Sequence, residues 1–137
     1  LSNFEDNSVD HIETNHVIEH IGHRRLLPAF MEWRRVLRPG GHIVMETPNL
    51  AAALEEFCKI RHNSGEIKGD FGDGSVYETI YGGQKDQGSF HISCLTLYQL
   101  MVLLKSAGFE DYKIQREIPV HGKEYGFSWN VRLVIEK

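Results

Sequence analysis

Between Pro39-Gly40-Gly41 and Pro48 the chain runs His42-Ile43-Val44-Met45-Glu46-Thr47, apolar almost without interruption. Such a run, bounded by turn formers, reads as a strand covered on both faces, the condition of a parallel sheet packed between helices. Upstream, Leu26, Phe30, Trp33 and Leu37, with Ala29 and Val36 beside them, recur at helical spacing. They predict a helix from about Arg25 to Leu37, with Pro28 in its first turn and Pro39-Gly40-Gly41 as its stop. Arg34, Arg35 and Arg38 then sit at the helix C-terminus, where the macrodipole favours cations, and need no binding role. Before that helix, Val9 to Thr14 reads as a short strand that delivers Asn15 and His16 to its C-terminal end. After Pro48, Asn49 is a fair cap, and Leu50, Leu54, Phe57 and Cys58 mark the apolar face of a helix reaching about Arg61. Strand, helix, strand, helix is the order of an α/β domain.

The periodicity then breaks. Residues 62–93 scatter seven glycines among charges and the aromatics Tyr77, Tyr81 and Phe90. A structureless stretch of that length in a compact domain is expected to be a functional insertion or lid, here one carrying substrate contacts. Order returns at Thr96, which forms a capping box with Gln99 ahead of the stripe Leu97, Leu100, Met101 and Leu104, and Gly108 closes the helix. Tyr112, Ile114 and Ile118 alternate in one strand, and Phe127, Trp129, Val131, Leu133 and Ile135 in the next, with a loop from Pro119 to Tyr125 between them. That spacing predicts an antiparallel pair. No repeat or second domain interrupts residues 1–137.

With 137 residues, 15 Lys plus Arg against 19 Asp plus Glu, and a formal charge of −4, the chain is long enough for one globular core. It has no basic stripe for a nucleic-acid backbone and no apolar run near the ~20 residues of a membrane span. Cys58 and Cys94 make no disulfide framework, so a cytoplasmic protein with two buried, reduced thiols is expected. The chain starts at Leu1, not Met, in what reads as a loop, so a missing N-terminal part is expected.

Histidine is the enriched reactive type: four of the eight are His11, His16, His20 and His23. His16-Val17-Ile18-Glu19-His20 fits H-x-x-E-H, which on one helical turn would present two imidazoles and a carboxylate in the manner of an inverted zinc peptidase. That class needs a larger chain and a further carboxylate on another helix, so no metal is expected and a zinc hydrolase is the weakest alternative. Cys58 and Cys94 lack an elbow motif and are not nucleophiles. Gly40-Gly41 leads from helix to strand, the reverse of a phosphate-binding loop.

Three runs form a set: Phe4-Glu5-Asp6-Asn7-Ser8-Val9-Asp10, Asn15-His16-Val17-Ile18-Glu19-His20-Ile21, and Glu32-Trp33-Arg34-Arg35-Val36-Leu37-Arg38-Pro39-Gly40-Gly41-His42-Ile43-Val44. They resemble the second half of class I S-adenosylmethionine-dependent methyltransferases, in particular the small type 11-like group. Thr47-Pro48-Asn49, Tyr81-Gly82-Gly83-Gln84, Phe90-His91 and Leu103 to Phe109 continue the likeness. The resemblance implies a partial Rossmann-like sheet in which Val9 to Thr14 is strand 4, His42 to Thr47 strand 5 and the C-terminal pair strands 6 and 7, in the order 4-5-7-6 with strand 7 antiparallel. Strands 1 to 3 and the Gly-rich cofactor loop have no counterpart, which makes this chain alone a doubtful cofactor binder. Strand 4 becomes an open edge, expected to be covered by self-association. By the same resemblance Asn15 and His16 touch the methionine end of S-adenosylmethionine and Leu1 offers backbone to its adenine. His20 and His91 are the catalytic candidates, and Tyr81 and Gln84 face a small-molecule or glycan-like acceptor. The reading from another class is a non-catalytic methyltransferase-like binding or assembly module.

Overall fold

The computed structural model describes residues 3–63, 76–117 and 130–137. Strand β1 (Val9–Asn15), helix α1 (His23–Val36), strand β2 (Leu37–Pro48) and helix α2 (Leu50–Asn63) come first. Helix α3 (Val76–Tyr81), helix α4 (Leu97–Ser106), strand β3 (Ile114–Glu117) and strand β4 (Asn130–Glu136) follow. The sheet order is β1-β2-β4-β3. β1 runs parallel to β2, and β4 antiparallel to both β2 and β3. This is the α/β arrangement the resemblance implied, strand for strand.

Register assigns the faces. Ile12 and Thr14 of β1 lie beside Ile43 and Met45 of β2, which lie beside Ile135 and Leu133 of β4. This face meets Leu26 and Phe30 of α1 and Leu100 and Leu104 of α4, and all of these residues except Ile12 and Thr14 are essentially solvent-free. Each such side chain contributes on the order of 1.5–3 kcal/mol of hydrophobic stabilisation. The opposite face departs from the doubly covered strand expected of His42 to Thr47. It carries His11 against His42, with ring centroids 4.6 Å apart. It also carries fully buried Glu46, whose Oε2 is 3.5 Å from Arg132 of β4. Buried charge here is tolerated because it is paired.

Several boundaries differ from the sequence expectation. α1 starts at His23, not near Arg25, so Pro28 falls beyond the first turn and withholds the amide that would bond Arg24. The helix ends before Leu37, and Arg38 lies in extended backbone, ion-paired to Asp10 at 2.7 Å. Pairing with β1 holds this segment extended: Val9 faces Leu37 and His11 faces His42, with the surplus residues of β2 looped out between. Residues 62–93 are not wholly without structure, since α3 lies within them. Tyr112 belongs to a 3-10 turn and is 78% exposed, where alternation had placed it on a strand. Leu54, Phe57 and Cys58 of α2 are exposed, so Cys58 is not a buried thiol; Cys94 is half-buried, and burial pushes its thiol up to about 11. Leu1, Ile118, Phe127, Trp129 and the loop Pro119 to Tyr125 lie outside the described residues. Among the described residues no helix is long and apolar enough to cross a membrane.

Candidate functional site

The residues just past the C-terminal ends of the parallel pair β1-β2 stand at the usual place for a ligand in an open α/β sheet. Asn15 closes β1 with an exposed side chain whose Nδ2 donates to Glu13 at 3.3 Å. His16 follows with φ of 50°, in the left-handed region, which turns the chain sharply off the sheet. Its amide is held by the Glu46 carbonyl at 2.9 Å. The turn throws Ile18 and Glu19 inward, and both are buried in a 3-10 turn that ends at His20.

Glu19 is the buried polar centre of this turn. Its Oε1 lies 2.9 Å from His16 Nδ1 as an ion pair, without the alignment of a hydrogen bond. Its Oε2 accepts from Thr47 Oγ1 at 3.2 Å. The nearby carboxylate raises the His16 pKa above its ordinary value, against the lowering effect of burial. On its other side His16 Nε2 lies 3.1 Å from Asn130 Nδ2, and the same amide donates to Glu46 Oε1 at 3.2 Å. The antiparallel β4 begins beside the end of β2, which is why Asn130 arrives there.

A second layer folds over this turn. The amides of Ile92 and Ser93 both donate to the Glu19 carbonyl, at 2.9 and 3.0 Å, and Ser93 Oγ donates to the Ile21 carbonyl at 2.6 Å. His20 Nδ1 is 2.9 Å from the Phe90 carbonyl, and His91 Nδ1 is 2.9 Å from the Thr79 carbonyl. A carbonyl only accepts, so both Nδ1 atoms carry the proton and both Nε2 atoms keep a lone pair. The two rings meet edge to face with centroids 5.0 Å apart. Burial lowers the His91 pKa. Gly82 makes this approach possible: at φ of 77°, a Cβ there would lie 2.0 Å from the Ser89 carbonyl oxygen and 2.7 Å from the His91 amide.

The structure therefore brings His16, His20 and His91 around Glu19, with Asn15 at the rim. Tyr81 and Gln84 flank the segment, Tyr81 exposed at the end of α3 and Gln84 exposed at φ of 50°. His16 and His20 do not share a helical turn, so the geometry that H-x-x-E-H suggested is not formed. Beside His20 opens a cavity of about 430 Å³, lined by Gly22, His23, Arg24, Arg25 and Ile92 as well. Sequence reading gave Asn130 no role, and took Asn49 as a helix cap and Thr47 only as part of the family likeness. Asn49 is buried at the end of β2, and its Oδ1 has no hydrogen-bond partner among the described residues. The side-chain amide of Asn15, exposed at the end of β1, can donate to the carboxylate of an amino-acid ligand, the chemistry of the methionine end of S-adenosylmethionine.

Residues 1–45 match the family model described as a methyltransferase domain. A S-adenosylmethionine-dependent methyltransferase from Archaeoglobus fulgidus is similar over 99% of this chain and 62% of its own, with a TM-score of 0.60 and 14% identity. One from Methanosarcina mazei aligns over 97% of this chain and 60% of its own, with a TM-score of 0.57 and 18% identity. Phosphoethanolamine N-methyltransferase 2 of Haemonchus contortus, solved with S-adenosylmethionine, aligns over 98% of this chain and 34% of its own, with a TM-score of 0.51 and 18% identity. No curated protein matches the chain significantly. The fold is thus that of the class I S-adenosylmethionine-dependent methyltransferases, and the first third of the chain carries the sequence pattern of the methyltransferase domain. The chain spans about three fifths or less of the length of these structures.

Proposed function

We propose that the protein transfers a methyl group from S-adenosylmethionine to a small-molecule or glycan-like acceptor, and that this chain forms the acceptor side of the site. The observation that carries the reading is the parallel pair β1-β2 ending in Asn15-His16, inside the segment that matches the methyltransferase domain. The cofactor, when bound, supplies an electrophilic methyl carbon on sulfur. Asn15 and His16 would hold its amino-acid end, and Leu1 would offer backbone to the adenine. His20 and His91 face the acceptor. His91, kept neutral by burial, is a base that accepts a proton at Nε2 from an acceptor hydroxyl as the new bond forms, or from an acceptor ammonium beforehand to free the nitrogen lone pair. Tyr81, Gln84 and the cavity beside His20 would contact the rest of the acceptor, and Arg24 and Arg25 favour one bearing negative charge.

Calorimetric titration of the full-length protein with S-adenosylhomocysteine tests this reading. Micromolar binding that weakens about tenfold in Asn15→Ala, the equivalent of one lost hydrogen bond, is expected. Absence of binding would refute it. The open outer edge of β1 favours a second reading, a binding or assembly module that pairs through that edge. In that case light scattering finds a stable homo-oligomer and S-adenosylhomocysteine gives no heat.

A further inference from the structure

Glu19, His20 and His91 each offer one ligand atom, and the three atoms lie within 4.8 Å of one another. Glu19 is buried, with 2% of its surface exposed, yet among the described residues no guanidinium or ammonium pairs with it. The two imidazoles come from segments 71 residues apart by numbering, and three main-chain and hydroxyl hydrogen bonds between residues 19–21 and 92–93, with the His20 ring bonded to the Phe90 carbonyl, fix that approach. Each ring donates its Nδ1 proton to a backbone carbonyl, which fixes the tautomer and leaves Nε2 as a donor atom. Among the described residues neither Nε2 has a hydrogen-bond partner.

We propose that Glu19, His20 and His91 form a binding site for a divalent first-row transition ion. Two imidazole nitrogens and one carboxylate oxygen select zinc, manganese, iron or cobalt over magnesium and calcium, which prefer all-oxygen shells. Three protein ligands leave coordination positions open to water or to an oxygen of a bound molecule. The spacing in His16-Val17-Ile18-Glu19-His20 pointed to a different set. His16 is turned onto Glu19 and Asn130 and serves as an outer-shell partner that orients the carboxylate, while His91, distant in sequence, completes the triad.

This site draws on His20 and His91 of the proposed acceptor side, where a bound ion and proton acceptance at His91 Nε2 exclude each other, and it is tested by binding alone. The full chain, stripped with a chelator, is titrated with zinc and with cobalt. One ion per chain and cobalt absorption in the visible are expected, with affinity falling at least about 100-fold in His20→Gln and in His91→Gln, the upper end of what outer-shell partners cost. His11→Gln, in the surface pair with His42, leaves the affinity unchanged. No binding by the wild-type chain, or wild-type affinity in folded His20→Gln and His91→Gln, overturns the proposal. Histidine-selective NMR of the wild-type chain needs no variant: zinc shifts the Nε2 signals of His20 and His91 if the site exists, and shifts confined to His11 and His42 refute it.

Discussion

His16 and His91 make opposite demands on protonation, and the fold registers both. The pKa of His16 is raised by Glu19, so the folded state holds its proton more tightly than the unfolded chain. The stabilisation is complete below the ordinary value of 6.5 and is lost as pH rises through the higher folded value. The pKa of His91 is lowered by burial, so its unfavourable protonation erodes stability as pH falls from 6.5 towards the lower folded value. Melting temperature measured against pH in a chelating buffer should therefore peak near the ordinary histidine pKa. His16→Gln should flatten the alkaline limb and His91→Gln the acid limb. Gly82→Ala should cost at least about 1–2 kcal/mol from the left-handed backbone alone, with the clash against Ser89 adding to it, as measured by chemical denaturation. His16, Glu19 and His20 were legible because they are neighbours in one motif. Asn130 and the partnership of His91 with Glu19 were not, because antiparallel register and a hydrogen-bonded return loop bring them there and no local pattern encodes either.

At the scale of elements, the capping box at α4 and the stripe beneath it were readable because both signals are local. Thr96 accepts from the Gln99 amide at 3.2 Å, and Gln99 accepts from the Thr96 amide at 2.9 Å. Thr96→Ala should cost about 1 kcal/mol by denaturant titration. The start of α1 was not readable, since Gly22 gives no side-chain cap and the rule that seats proline in the first turn moved the boundary two residues too far. Pro28 lies inside the helix with its side chain exposed, so Pro28→Ala should stabilise the protein. The gain expected is about 2 kcal/mol, the ~3 kcal/mol interior penalty less the entropy that proline removes from the unfolded chain. Arg34, read as a helix-end charge, also bridges two elements. From the last turn of α1 its Nε donates to the Gly108 carbonyl at 3.0 Å, which ties α1 to the turn that follows α4.

For the molecule as a whole, the sheet order followed from the resemblance, while periodicity supplied only the alternation of strands and helices. The outer edge of β1 is where that order has its consequence. His16 takes its bond from β2, so by alternation the amides of His11, Glu13 and Asn15 point away from the sheet. Glu13→Pro should leave the pairing with β2 intact and abolish any association through this edge in light scattering. Lys137 ties the other side of the molecule. Its amide donates to Gly41 at 2.9 Å, and its Nζ donates to Asn7 Oδ1 at 2.7 Å and to the Leu37 carbonyl. The amides of Asn7 and Ser8 are bonded to Arg35 and Val36 alongside it. Lys137→Met, which removes these Nζ bonds, would thus be felt 130 residues away in sequence, where deuterium uptake at Asn7 and Ser8 should quicken before any other change is seen.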